Sequence, residues 1–454
     1  METEAPGGPL PSREDRVAVG AKARVMASPA SLGSWSPSPD RVDPIELLES
    51  QSTTRLQDLV PVRYGRMAVS PFTFYRGAAL PMAADLSAGP NSGITVQLCG
   101  DAHVSNFGLF ASPERALLFD ITDFDETLPG PFEFDLKRLA GSLVVAGREL
   151  GVSGHDARHM VHRAMRSYRE RMAGYATMRA IDVYYARVDA SGVRAYANKA
   201  ARGMIDRTVK ASARHDSVHE LPKLTSLVDG KRRLVERPPT LIKLPDLTQL
   251  LADSALRAYR DTLQENRRVL LDPYRLTDFA LKVVGVGSVG LGAFVALFIG
   301  GSDDDPLFLQ AKQAEASVYE RYLGPDRHSS HGERVVTGQR RLQAASDVLL
   351  GWTVGERGQH LYIRQLQDQK GAAVIDSMTV EELATWGELC AWTLARGHAR
   401  SGDPATIAGY LGTDKAFDHA MGSFAVAYAD QNAKDHAALL AAIRSGRIHA
   451  EQGV

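Results

Sequence analysis

Residues 99–108, CGDAHVSNFG, place Asp101, His103 and Asn106 together in one short polar stretch closed by a glycine. The β-rich run after it ends in DITDFDE (120–126), adding Asp123, Asp125 and Glu126. Phosphoryl transfer requires one carboxylate beside the acceptor hydroxyl and oxygen ligands that hold Mg2+ on the phosphates. Asp101 can supply that carboxylate, and Asn106 and Asp123 the metal oxygens. Asp125 is a further candidate ligand, either for a second metal or simply solvated, as is Glu126. Asp101 with His103 also fits a metal-dependent hydrolase, but one histidine in the segment is thin for zinc. Taken singly, each loop could equally be turn chemistry.

A second motif lies far downstream. Gly285, Gly287, Ser288 and Gly290 form a G-x-G-x-x-G stretch, whose meaning depends on the element it leads into. A dinucleotide fingerprint opens a helix, whereas a kinase-type loop joins two strands over nucleotide phosphates. Here the next residues are a β-branched and aromatic run, then the turn GGSDDDP and the strand LFLQAKQA with Lys312. That order brings the Lys312 ammonium beneath a phosphate-binding loop; the plainer alternative is a glycine-rich hairpin. The same stretch, 283–301, carries no charge and is long enough to span a membrane. Its glycines and the SDDD directly after it argue against a span.

The elements that must position these residues fall into four parts. Residues 1–40, rich in Pro, Gly, Ser and Ala, read as a mostly disordered tail. Residues 41–270 hold a helix entered through Asp43-Pro44, the two β-runs at 93–100 and 115–125, an amphipathic helix at 132–151 and further helices. Residues 271–370 are β-rich apart from a helix at 332–347. Residues 371–454 are helical, opening on a Thr-x-x-Glu capping box at Thr379.

Composition excludes some partners. With 53 basic against 54 acidic side chains there is no general charge to attract nucleic acid or an anionic membrane, so neither is expected as a partner. Two cysteines and no apolar leader suit a reducing cytoplasm.

GDAHVSNFG followed by DITDFDETLPGPFEFDLKRLA resembles the catalytic segment of aminoglycoside phosphotransferases and choline kinases. Gly100, Asp101, His103 and Asn106 match its first part, Asp123 its metal aspartate, and Gly130, Pro131, Asp135, Leu136 and Ala140 its helix start. Cys99 stands where those families usually have His, and Lys137-Arg138-Leu139 intervenes before Ala140. Over most of its length, including SPFTFYRGAA, the chain is also similar to a bacterial domain-of-unknown-function family, number 2252. The kinase resemblance implies an α+β, protein-kinase-like two-lobe fold, with ATP and Mg2+ bound between the lobes and a hydroxyl acceptor of unknown identity. Because the catalytic loop precedes the glycine loop, the fold would be circularly permuted. The 332–347 helix would then be αC, with Glu333 favoured over Glu315 and Glu320 as the partner of Lys312, and the hinge would lie near Gln365–Gln367. Asp135 would brace the catalytic loop. AMP transfer or a nucleotide-binding pseudokinase is the alternative on the same fold; a dinucleotide-binding or membrane-anchored protein is a remote one.

Overall fold

The computed structural model describes residues 11–212, 217–243, 249–283, 285–355, 357–366, 370–372 and 374–451. Helix α1 (Arg13–Met26) starts at Ser12, whose side chain and Asp15 form a reciprocal capping box. It lies against a helix near the other end of the chain, Pro404–Leu411, with Arg16 paired to Asp403 at 2.9 Å and the Tyr410 hydroxyl on the Ala27 carbonyl. The expected disordered tail is therefore ordered over this helix. Its Pro and Ser residues crowd the flanks, while 13–26 is built of Ala, Arg and Val with a proper cap; residues 1–10 lie outside the described set.

Helix α2 (Pro44–Ser52) enters through Asp43 as its sequence requires, and α3 (Val60–Ala68) and α4 (Pro71–Gly77) come after it. Two antiparallel ribbons are next. Strand β1 (Thr95–Leu98) pairs with β4 (Leu128–Pro131), and β2 (Phe107–Ala111) with β3 (Leu117–Ile121). This nesting sets the 99–106 loop beside the 122–127 loop, joined by a hydrogen bond from the Thr122 amide to the Asn106 carbonyl at 2.9 Å.

Helix α5 (Glu133–Glu149) differs from the expected amphipathic helix, since every residue from Glu133 to Gly147 is buried. Three helices enclose it: α6 (Gly154–Tyr175) and two from the C-terminal part, Val380–Ser401 and Ala416–Arg444. Glu133 accepts from Ser92, Asp135 from the Cys99 and Gly100 amides, and Arg138 donates to Asp101, while the Lys137 ammonium lies 5.0 Å over the Phe424 ring, which is how a polar stripe survives inside a core.

Six further strands form one antiparallel sheet: β5 (Leu241–Ile242), β6 (Arg275–Lys282), β7 (Ala293–Ile299), β8 (Pro306–Gln313), β9 (Gly351–Val354) and β10 (His360–Gln365). The spatial order is β9-β10-β8-β7-β6-β5. Helix α7 (His331–Leu342) joins β8 to β9, and the C-terminal helices are α8 (Val380–Ser401), α9 (Pro404–Leu411) and α10 (Ala416–Arg444). The sheet unit starts before the expected boundary at 271: β5 pairs Leu241 with Lys282, and Thr262 donates its hydroxyl to the Trp352 carbonyl at 3.0 Å. A two-residue strand is too short to show a period of two, so the sequence could not mark it. The apolar run at 283–301 divides into a glycine loop and strand β7. Among the described residues no helix is long and apolar enough to cross a membrane. The molecule is α+β, with its sheets all antiparallel and mostly small.

Candidate functional site

The 99–106 loop is pinned from below. Gly100 has φ +89°, and a Cβ there would lie 2.1 Å from the Glu126 carbonyl oxygen, so only glycine lets the two loops touch. Asp135, in the first turn of α5, accepts the amides of Cys99 at 2.8 Å and Gly100 at 3.0 Å. His398 of α8 approaches the same carboxylate at 3.2 Å and is itself met by the Tyr168 hydroxyl at 2.9 Å. Asp135 is the brace that its position suggested.

With the loop fixed, Asp101 reaches the surface of a cleft with its side chain 20% exposed. Its Oδ1 accepts from Arg138 Nε at 2.7 Å, and Arg138 lies 4.0 Å over the Tyr75 ring while donating to the Tyr75 carbonyl. Burial pushes the Asp101 pKa up, and the Arg138 guanidinium pulls against that rise. His103 is buried, with Nε2 3.6 Å from Asp101 Oδ2 and no hydrogen-bond partner on Nδ1. Burial, with the charges of Arg76 and Arg138, depresses its pKa well below the ordinary range and keeps the ring neutral. The Asn106 amide nitrogen is committed to the Asp101 carbonyl at 2.8 Å, leaving the amide oxygen for a cation.

Asp123 faces the same cleft with a third of its side chain exposed. Asp125 does not act as its twin. One Asp125 oxygen holds Lys312 Nζ at 2.7 Å and the other accepts the Tyr362 hydroxyl at 2.7 Å. Lys312, on β8, also lies 3.7 Å from Asp123. Burial alone would raise the Asp125 pKa, but Lys312 and Tyr362 outweigh it and hold the pKa below its ordinary value. Asp125 is thus the ion-pair partner of Lys312, in place of the expected Glu333. Helix α7 presents Arg334 instead, which donates to the carbonyls of Thr127 at 2.6 Å, Asp125 at 2.8 Å and Glu315 at 2.7 Å. No Glu333–Lys312 pair exists among the described residues.

Gly285, Gly287 and Ser288 line the cleft opposite Asp101 and Asp123. Gly290 lies outside it, its carbonyl accepting the Leu56 amide at 2.8 Å. Arg66 donates to the Gly285 carbonyl at 2.7 Å, so the loop is anchored by α3. Gln365 is elsewhere: its side chain donates to Asp347 at 2.8 Å beside a second cavity that also borders Thr122, Gln343 and Arg364. Of the expected hinge, Gln367 lies outside the described residues.

One oxygen from Asn106 and a carboxylate from Asp123 suit Mg2+ bound mainly through a substrate's phosphates. They do not suit an all-protein cage, and among the described residues no group of three or more His, Cys, Asp or Glu could hold a metal. The family model described as "uncharacterized protein conserved in bacteria (DUF2252)" matches residues 55–442. The chain belongs to the DUF2252 family. No curated protein and no solved structure matches it.

The matched span takes in every residue lining this DUF2252 cleft except Gln51, together with Lys312 and the helices that brace the catalytic loop. Several of its residues carry no sequence pattern. Arg138 and Arg334 sit on helices among other basic residues, and only their full burial separates them from solvated neighbours. Glu126, which the DITDFDE motif marked only as a candidate ligand or a solvated group, is buried: its carboxylate accepts the Val318 amide at 2.7 Å, and burial pushes its pKa up to about 7. A raised carboxyl pKa means that stability falls as pH climbs from about 4 towards 7, because the unfolded chain releases this proton first. Glu126→Gln keeps an acceptor for Val318 and removes the penalty. The variant is expected to be more stable than wild type at pH 8 by at least about 2 kcal/mol and to match it near pH 4, measured by urea denaturation without divalent cations.

Proposed function

We propose that this DUF2252 protein is a Mg-ATP-dependent phosphotransferase with a circularly permuted, protein-kinase-like two-lobe fold, acting on a hydroxyl. The observation that carries the reading is the convergence in one cleft of Asp101, Asn106 and Asp123 with the Gly285–Ser288 loop, from segments far apart in sequence. Lys312, touching Asp123 and Asp125 at the back of that cleft, adds the expected phosphate cation. The element order also supports it: strand β6, glycine loop, β7, the lysine strand β8, helix α7, then β9 and β10 run in kinase order. The Glu451 amide meets the Pro61 carbonyl at 2.9 Å, so the two ends of the helical body are close, as permutation requires.

In this reading Asn106 and Asp123 would hold Mg2+, whose charge would stabilise the transferred phosphoryl group, and the Gly285–Ser288 loop would lie against phosphate oxygens. Asp101 orients the acceptor hydroxyl and takes its proton as the acceptor oxygen bonds to the γ-phosphorus and the bond to the β-phosphate oxygen breaks. Arg138 fixes the Asp101 carboxylate for that contact. The test is a thermal-shift and calorimetric comparison of ATP with and without Mg2+ against NAD. Mg-dependent stabilisation by ATP alone is expected; stabilisation by NAD, or ATP binding indifferent to Mg2+, would overturn the reading. Mass spectrometry of a labelled acceptor then separates phosphate from AMP transfer.

A further inference from the structure

The cleft has a basic wall that the phosphotransfer chemistry above does not use. Arg55 is 6% exposed, donates one Nη to the Val289 carbonyl and has no hydrogen-bond partner on Nε. Arg76 is half-buried at the end of α4, and its Nε is also unpartnered. Neither guanidinium has a carboxylate within ion-pairing distance among the described residues; carboxylates act on both only from farther away. Arg63, fully buried behind them, donates to Gln51 at 2.8 Å and to the Gly77 carbonyl at 3.1 Å, and so fixes two further residues of the wall.

Three of the four acidic side chains that line the cleft are taken, and the fourth is Asp123, the carboxylate left for a cation. Asp101 is held by Arg138, Asp125 by Lys312 and Tyr362, and Glu126 by the Val318 amide. Two guanidiniums left without a counter-ion in a partly desolvated cleft are costly unless a ligand supplies the charge. The forked donors of arginine match the oxygens of a phosphate group. The wall is also placed to act on the acceptor side. Arg76 lies near enough to Asp101 to oppose the rise of its pKa, and its carbonyl oxygen would be 3.1 Å from a Cβ on Gly287.

We propose that Arg55 and Arg76 bind the phosphate of a phosphomonoester, so that the cleft accepts a hydroxyl compound that is already phosphorylated. That this compound is the acceptor rests on the phosphotransferase reading; the anion site itself does not. The same chemistry could come from the terminal phosphate of the nucleotide, and the experiment separates the two sources.

Glycerol 3-phosphate, inorganic phosphate and glycerol are titrated calorimetrically into the full chain without Mg2+ or nucleotide, and Mg-ATP is titrated separately. The two phosphates are expected to bind and glycerol not. Arg76→Ala is expected to weaken glycerol 3-phosphate at least about tenfold, the scale of a lost charge-assisted hydrogen bond, with partial recovery in Arg76→Lys. Mg-ATP affinity is expected to change less than about threefold in the same variants. Arg55→Lys, which keeps the charge at the more buried site, provides a second probe if Arg76→Ala melts at a lower temperature than wild type. Indistinguishable titrations of glycerol and glycerol 3-phosphate would overturn the site. An equal loss of Mg-ATP and glycerol 3-phosphate in Arg76→Ala would assign the wall to the nucleotide and overturn the acceptor proposal. Binding of glycerol 3-phosphate with none of Mg-ATP would uphold the anion site and remove the phosphotransferase reading.

Discussion

Asp123→Asn is expected to abolish Mg-dependent ATP binding, and Asp101→Asn to preserve that binding while losing turnover about 10²–10⁴-fold. The two carboxylates stand side by side in one cleft but differ in their restraints. Asp123 is a third exposed, and its nearest cation is Lys312 at 3.7 Å, too far for a hydrogen bond. One of its oxygens accepts the Asp125 amide at 3.1 Å and the other is open to Mg2+, to which a carboxylate gives both charge and an oxygen and an amide only the oxygen. Asp101 is fixed at 2.7 Å by Arg138, which sets its orientation and lowers its basicity relative to an unpaired buried carboxyl. Asparagine is the right probe at Asp101, because it retains an acceptor for Arg138, whereas alanine would leave a fully buried guanidinium facing a void. Calorimetry with Mg-ATP and a coupled assay for ADP release separate binding from turnover. Unchanged Mg-ATP affinity in Asp123→Asn sinks the metal assignment, and wild-type ADP release in Asp101→Asn sinks the proton-acceptor assignment.

These residues were legible because their chemistry is written in type and short spacing. Asp101, Asn106 and Asp123 lie on two adjoining loops, and strand–glycine loop–strand–turn–strand fixes where Lys312 emerges. The partner of Lys312 was not legible. A glutamate in the first turn of a helix and an aspartate a few residues past a strand are equally able to meet a lysine. The choice was decided by how closely α7 presses on the 125–127 loop. Gly338 makes that approach possible, since a Cβ there would lie 2.3 Å from Thr127 Oγ1. With the helix so close, Arg334 fills the space and ties off three carbonyls, and Asp125 is left to take the lysine. Burial of α5 on all sides was hidden for a related reason. Glu133, Asp135, Lys137 and Arg138 imitate a solvated stripe in one dimension, yet each is buried. Arg76, with Arg63 and Arg66, reads in the sequence either as an anion or substrate site or as salt-bridged surface, and only folding sets it with Arg55 at the glycine loop.

Lys312→Met is expected to lower stability by about 3–5 kcal/mol at neutral pH, the cost of breaking a buried ion pair by removing one partner. Methionine matches the lysine stem, so the loss is electrostatic rather than a packing defect. Lys312 is 5% exposed between Asp125 and Asp123, and without its ammonium two carboxylates face each other in a partly dry pocket. The pH dependence identifies the cause. In wild type the folded pKa of Lys312 is raised by its aspartates and that of Asp125 is lowered by its lysine. The stabilisation from Lys312 is thus present below about pH 10, where the unfolded chain titrates, and that from Asp125 above about pH 4. The Asp125 contribution is lost as pH falls through its folded pKa. The gap between wild type and Lys312→Met should therefore narrow sharply below about pH 4, as Asp125 takes up a proton. Mg2+ should narrow it at neutral pH, because a bound cation replaces the missing charge, and the double variant Lys312→Met/Asp125→Asn should regain stability without metal. Urea denaturation across pH, with EDTA or Mg2+, measures all three. A gap independent of pH and of Mg2+ would mean that the lysine acts through packing, and its place as a charge beneath the phosphate loop would be lost with it.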